Sequence, residues 1–257
     1  MNKTKTLVML TALLLALSGC KVLEQAVNLP AASSVSDVPL KATKLIIEHN
    51  ATDDDTGFQG FFDGEGWEQL TISGPDGPVL TIEGQGALGD WGLTELFFET
   101  VEPEGAEVSM MEVFEVLPEG HYAVEGDTIQ VGESEGPTSG MAWLTHRIPE
   151  GPVLIFPGEG ATVSSTSDVA FRWKPSTKTI HGGPINIIAY QLIVEKEEDE
   201  HPHMIGNMGL SMYLPASVTR ISIPSAFFEQ ETSYEWEVLA IESSGNQTIS
   251  SSAFETR

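Results

Sequence analysis

The chain has 257 residues, 38 of them acidic and 12 basic, for a net charge of −26, and it contains one cysteine. Such charge disfavours nucleic acid and anionic headgroups as direct partners, since both attract basic surfaces, and a single cysteine allows no intramolecular disulfide. The length suits two domains of about 100 residues each behind an N-terminal leader.

Lys3 and Lys5 give the leader a short positive start, and no acidic residue precedes Glu24. Residues 7–17 are apolar, a stretch too short to span a hydrocarbon core that needs about 20 residues. Residues 1–19 therefore have the three-part plan of an export signal. The segment ends in Leu17-Ser18-Gly19-Cys20, which resembles the bacterial lipobox. That resemblance implies cleavage before Cys20, lipid on its sulfur and a membrane partner reached through that lipid. An ordinary signal peptide that happens to carry a cysteine is the alternative. Each buried methylene adds about 0.8 kcal/mol, so several acyl chains hold where one would not. Lys21 stands where inner-membrane retention signals carry aspartate, so the resemblance implies a cell-envelope location, on the outer membrane if the host has two. Removing residues 1–19 takes two lysines, leaving ten bases against 38 acids and a net charge of −28.

Residues 20–43, rich in Ala, Ser, Val and Pro, read as a flexible tether. Residues 44–150 follow as an acidic domain with 23 acids against Lys44 and Arg147. Leu45-Ile46-Ile47 opens it. Strand-like runs at 67–72 and 79–82 flank Gly74-Pro75-Asp76-Gly77-Pro78, a hairpin signal. Further runs lie at 93–98, 122–124 and 141–144, and residues 108–117 suit a short helix. The region reads as a β-sandwich of no recognised family.

Its densest chemistry is Asn50-Ala51-Thr52-Asp53-Asp54-Asp55-Thr56-Gly57. Alternate carboxylates with a glycine bend are how short loops wrap Ca²⁺ in oxygen, making Asn50, Asp53, Asp54 and Asp55 candidate ligands. A solvated acidic loop explains the same residues. Trp67 and Trp91 are candidates for a sugar-binding platform, with core positions as the alternative.

Ile148-Pro149-Glu150-Gly151-Pro152 marks the seam to residues 151–257. There Val169, Phe171 and Trp173 alternate, as do Tyr190, Leu192 and Val194, while Val218, Ile221 and Ile223 mark another run. Tyr234, Trp236, Val238 and Ala240 follow in step, then Gly245-Asn246 and a last strand ending at Phe254. The combination of Trp173, Tyr-x-Trp-x-Val-x-Ala at 234–240 and Gly245-Asn246 resembles a fibronectin type III domain. It implies a seven-strand sandwich with Trp173 in the core and Tyr234 as a tyrosine corner.

His201, His203 and Met204, with Met208 and Met212 beyond, combine imidazole and thioether as copper sites do. An edge loop backed by methionines that fill a core is the alternative. The chain has no Gly-x-Ser-x-Gly, His-Glu-x-x-His, phosphate loop or dinucleotide fingerprint. The expectation is an all-β protein of two tandem sandwiches, a non-catalytic envelope lipoprotein offering a binding or spacer surface to an envelope protein or glycan. No cofactor is required, and Ca²⁺ is the leading candidate. The competing expectation is an accessory substrate-binding protein, for carbohydrate or dependent on Ca²⁺, or an enzyme with a dispersed site.

Overall fold

The computed structural model describes residues 37–198 and 202–257. The export signal, Cys20, most of the expected tether and His201 lie outside the described residues. The architecture is all-β.

The N-terminal half comprises β1 (Val38–Pro39), β2 (Ala42–Asn50), β3 (Asp55–Gly74), β4 (Gly77–Glu83), β5 (Leu93–Glu99), β6 (Gly120–Gln130) and β7 (Glu133–Leu144). Two short helices, α1 (Ala87–Trp91) and α2 (Met110–Val116), lie between strands. The long β3 organises this half. Residues 55–63 pair with β2 and partly with β5, while residues 67–74 pair with β6 and β4. Register shifts near Trp67 mark the bend between the two pairings. A Cβ on Gly66 would stand 2.5 Å from the Ile129 carbonyl oxygen, so glycine is what lets the chains pass this closely. The bend encloses a core of Ile47, Phe62, Trp67, Leu70, Tyr122 and Leu144, which Val113 and Phe114 of α2 join. Ser109 starts α2 with a capping box: its N–H donates to Glu112 Oε2 at 2.9 Å, and its Oγ accepts from Glu112 N at 3.4 Å. Pro78 follows the expected hairpin turn and falls on β4, whose pairing is with β3 alone, so its missing N–H costs no second ladder.

The sheet starts inside the segment read as a tether. Val38 pairs with Thr138, the Thr138 hydroxyl donates to Val38 O at 2.6 Å, and Leu40 packs on the first core. Residues 38–43 therefore belong to the fold, because Leu40 has apolar surface to cover.

The C-terminal half comprises β8 (Val153–Phe156), β9 (Ala161–Val163), β10 (Val169–Lys174), β11 (Ile187–Lys196), β12 (Gly209–Pro215), β13 (Arg220–Ile223), β14 (Ser233–Glu242) and β15 (Gln247–Thr256). A sheet β13-β10-β8 faces β15-β14-β11-β12, with β9 beside β15, in the three-on-four plan of a fibronectin type III sandwich. The period-2 pattern delivers Phe171 and Trp173, Tyr190 and Leu192, and Trp236 and Val238 to one buried core. Tyr234 Oη accepts from Glu229 N at 2.8 Å, the tyrosine corner that the resemblance implied.

The two halves share a sheet. Strand β15 pairs in parallel with β2 (Gln247 with Glu48, Thr248 with His49, Ile249 with Asn50), giving the order β1-β7-β6-β3-β2-β15-β14-β11-β12. Asn246, only 1% exposed, fastens this seam. Its Oδ1 accepts from Ile47 N at 2.9 Å, and its Nδ2 donates to Thr145 O at 2.7 Å and Arg147 O at 3.3 Å. The Glu242 carboxylate holds the turn that presents Asn246, accepting from Ser244 N at 2.7 Å. Even the proline-flanked seam is tied down: Thr248 Oγ1 donates to Pro149 O at 2.7 Å, and Ile148 is fully buried.

Candidate functional site

Side chains that alternate away from the two cores meet on the opposite face of the shared sheet, forming a groove of about 870 Å³. Its register is set by the ladder: Glu48 lies beside Gln247, Gln247 beside Ile241, Leu239 beside Gln191, and Glu237 beside Ile193. Leu239 and Ile249 are buried in the floor. The walls expose large apolar groups from both halves: Phe97 of β5 is 58% exposed, Trp143 of β7 50%, Ile188 of β11 51% and Tyr213 of β12 70%. Lys44 carries its ammonium 5.5 Å from the Phe61 ring centroid, a cation–π contact within the groove.

Two carboxylates stand among these apolar groups. Glu237 is pushed up to about 7, by burial first and then by the charges of Glu235, Glu195, Glu48 and Asp53. Burial and the charge of Glu99 also raise Glu48, against the stabilising hydrogen bond that it accepts from Gln247 Nε2. Beside the groove, Glu48, Glu99 and Glu102 bring their ligand atoms within 4.8 Å of one another, the arrangement among the described residues that suits a hard cation. Glu102 is raised to about 7 by burial and by Glu99, Glu48 and Asp55. Gln59 Nε2 donates to Glu99 Oε1 at 2.8 Å, binding this cluster to β3.

The acidic run at 50–57 is the hairpin between β2 and β3. Asn50 Oδ1 accepts from Thr52 N at 2.9 Å and Asp53 N at 3.2 Å, while its Nδ2 donates to Asp53 Oδ2 at 2.9 Å. Asn50 thus shapes the turn. Asp54 takes φ 59° and its carbonyl accepts from Gly105 N at 2.6 Å. Asp53 and Asp54 are exposed, and Asp55 is partly covered with Oδ1 buried. Asp53, Asp54 and Asp55 do not converge as Glu48, Glu99 and Glu102 do.

Of the methionine cluster, Met212 on β12 packs against the second core, whereas Met204 and Met208 are each 45% exposed. They border a smaller hollow with Lys196, Asn207, Phe227 and Glu229. His203 is exposed. Trp67 is fully buried, which removes it as a sugar platform, because β3 alternation turns it into the first core. Trp91 on α1 is 71% exposed.

Sequence reasoning missed Glu48, Glu99, Glu102 and Glu237 because they come from three separate strands and the loop after β5. The usable signal was the outward parity of Glu48 in Leu45-Ile46-Ile47-Glu48 and of Glu237 between Trp236 and Val238.

No family model matches the chain, and no curated protein matches it. Among solved structures it is similar to the chicken CNTN1 FN1-FN3 domains, at 12% identity and a TM-score of 0.33, over 86% of this chain and 65% of that one. It is also similar to a two fibronectin type III domain segment from chicken tenascin, at 10% identity and a TM-score of 0.31, over 86% of this chain and 98% of that one. The chain thus spans 65% of the CNTN1 fragment.

Proposed function

We propose that this protein is a lipid-anchored, non-catalytic binding protein of the cell envelope, held through Cys20, whose fused sandwiches present the groove to an envelope partner. The carrying observation is the groove's wall of exposed Phe97, Trp143 and Tyr213, contributed by both halves of one sheet. Contiguous exposed apolar groups with a polar rim are a common mark of interaction sites, and aromatic anchors dominate binding energy. A shared sheet supplies such anchors already ordered, which lowers the entropic cost of association.

Two experiments test the two parts of this reading. Cys20→Ser should abolish lipid labelling and move the protein to the soluble envelope fraction; lipid labelling that persists defeats the anchor. A photo-crosslinking residue at Tyr213 in intact cells should capture a discrete partner that the same residue at Met111, exposed on α2, does not. Equal capture from both positions, or none from 213, defeats the groove as binding surface.

One observation favours a second, hydrolytic reading: Glu237, near pKa 7 in a cleft, suits a general acid. A turnover by the purified chain that Glu237→Gln abolishes would replace the binding reading.

A further inference from the structure

We propose that the groove takes an extended cationic peptide, with basic side chains paired to Glu48 and Glu237 and apolar side chains laid over Ile193, Leu239 and Ile241. This deepens the binding reading and rests on it. The first argument is the pairing of chemistries within one surface. The floor and walls are rich in aliphatic and aromatic groups, with Gln59, Gln191 and Gln247 among them, so they reward apolar side chains. The two carboxylates standing in that surface reward cations. Successive side chains of an extended segment point to opposite sides, so a segment with basic and apolar residues alternating at every second position presents both on one face and meets both demands at once, whereas a polybasic or a purely apolar segment meets one.

The second argument is charge complementarity. Glu48 and Glu237 are the acids of the lining, and its base, Lys44, already sits over Phe61. The groups that act electrostatically on Glu237 are Glu235, Glu195, Glu48 and Asp53, all acidic. Glu48 feels Glu99 and Asp55 in the same sense, and Glu102 lies in its cluster. Each carboxylate is thus held away from water among like charges, which is where an incoming ammonium or guanidinium is stabilised most. A second copy is a poor occupant for the same reason, since both copies would bring this acidic face to the contact.

The test uses the full chain at pH 8 and low salt. Fluorescence anisotropy would follow a labelled octapeptide of lysine pairs alternating with valine pairs, which sets both residue types on each face of an extended chain, and three twins of the same pattern: glutamate–valine, serine–valine and lysine–serine. The lysine–valine peptide should bind about tenfold or more tightly than every twin. Glu48→Gln with Glu237→Gln should cost that advantage. Ser251→Lys, which sets a fixed cation in register beside Glu237, should also weaken binding and guards against a double variant that misfolds. Equal binding of lysine–serine would mean diffuse attraction to an acidic surface and overturns the proposal. Equal binding of serine–valine overturns the cationic partner while leaving an apolar binding groove. If no peptide binds, the cationic partner is rejected, and crosslinking from position 213 decides the groove independently.

Discussion

Glu237 shows how a single side chain couples the groove to stability. Unfolded, it ionises near its ordinary 4.5; folded, burial and its acidic neighbours raise it to about 7. Between those values the folded state binds more protons than the unfolded one, so this group makes stability fall as pH rises from about 4.5 to 7. Below the window the contribution vanishes, and above it the full cost remains. Glu102 acts with the same sign over the same window. Glu237→Gln should therefore raise the melting temperature at pH 8, change it little at pH 4 and flatten the profile between. Thermal melts across that range check this; equal destabilisation at both pH values would show that Glu237 makes a favourable contact instead. Asn246 is the opposite case, a buried polar residue with its hydrogen bonds made.

At the scale of elements, what was legible followed from alternation. The strands carrying Phe171, Leu192 and Trp236 announce one apolar face each, and the structure buries those faces together. The hairpin around Asp76 followed from turn chemistry, and the helix at 110–116 lies within the expected 108–117, with a capping box at Ser109 that the apolar pattern did not use. Strand β7 was legible only at its end, because residues 133–140 carry glycine, serine and acid where a pattern reader needs apolar groups; pairing with β6 makes the strand. Strand β12 was hidden among methionines whose alternation turns Leu210, Met212 and Leu214 toward the second core. The seam of β2 with β15 was illegible because its partners lie about 200 positions apart and no local pattern encodes that pairing. The candidate site inherits that difficulty, since Glu48 and Glu237 meet only across the seam. Asn246→Ala should expose how far the seam binds the halves. It strands Ile47 N and the Thr145 and Arg147 carbonyls, and each buried group left unpaired costs about 1–3 kcal/mol. Calorimetry should show a lower onset and two resolved transitions where the parent shows one; an unchanged single transition would mean that the strand pairing alone suffices.

At the scale of the molecule, two halves that share one sheet behave differently from beads on a string. A flexible pair would spread Phe97 and Tyr213 over many separations, and a ligand would have to order them on binding. One sheet fixes that separation in advance, and the net charge of −26 keeps copies apart. Everything proposed for the groove depends on the β2–β15 pairing being as firm as the cores it joins. Amide hydrogen exchange on the full chain measures this directly, at Ala51 N, which donates to Ile249 O at 2.9 Å, and at Ile47 N, which donates to Asn246. Protection there should match that of the central strands β11 and β14. Exchange at the rate of exposed loops, while β11 and β14 stay protected, would mean that the halves part freely and that no standing groove exists.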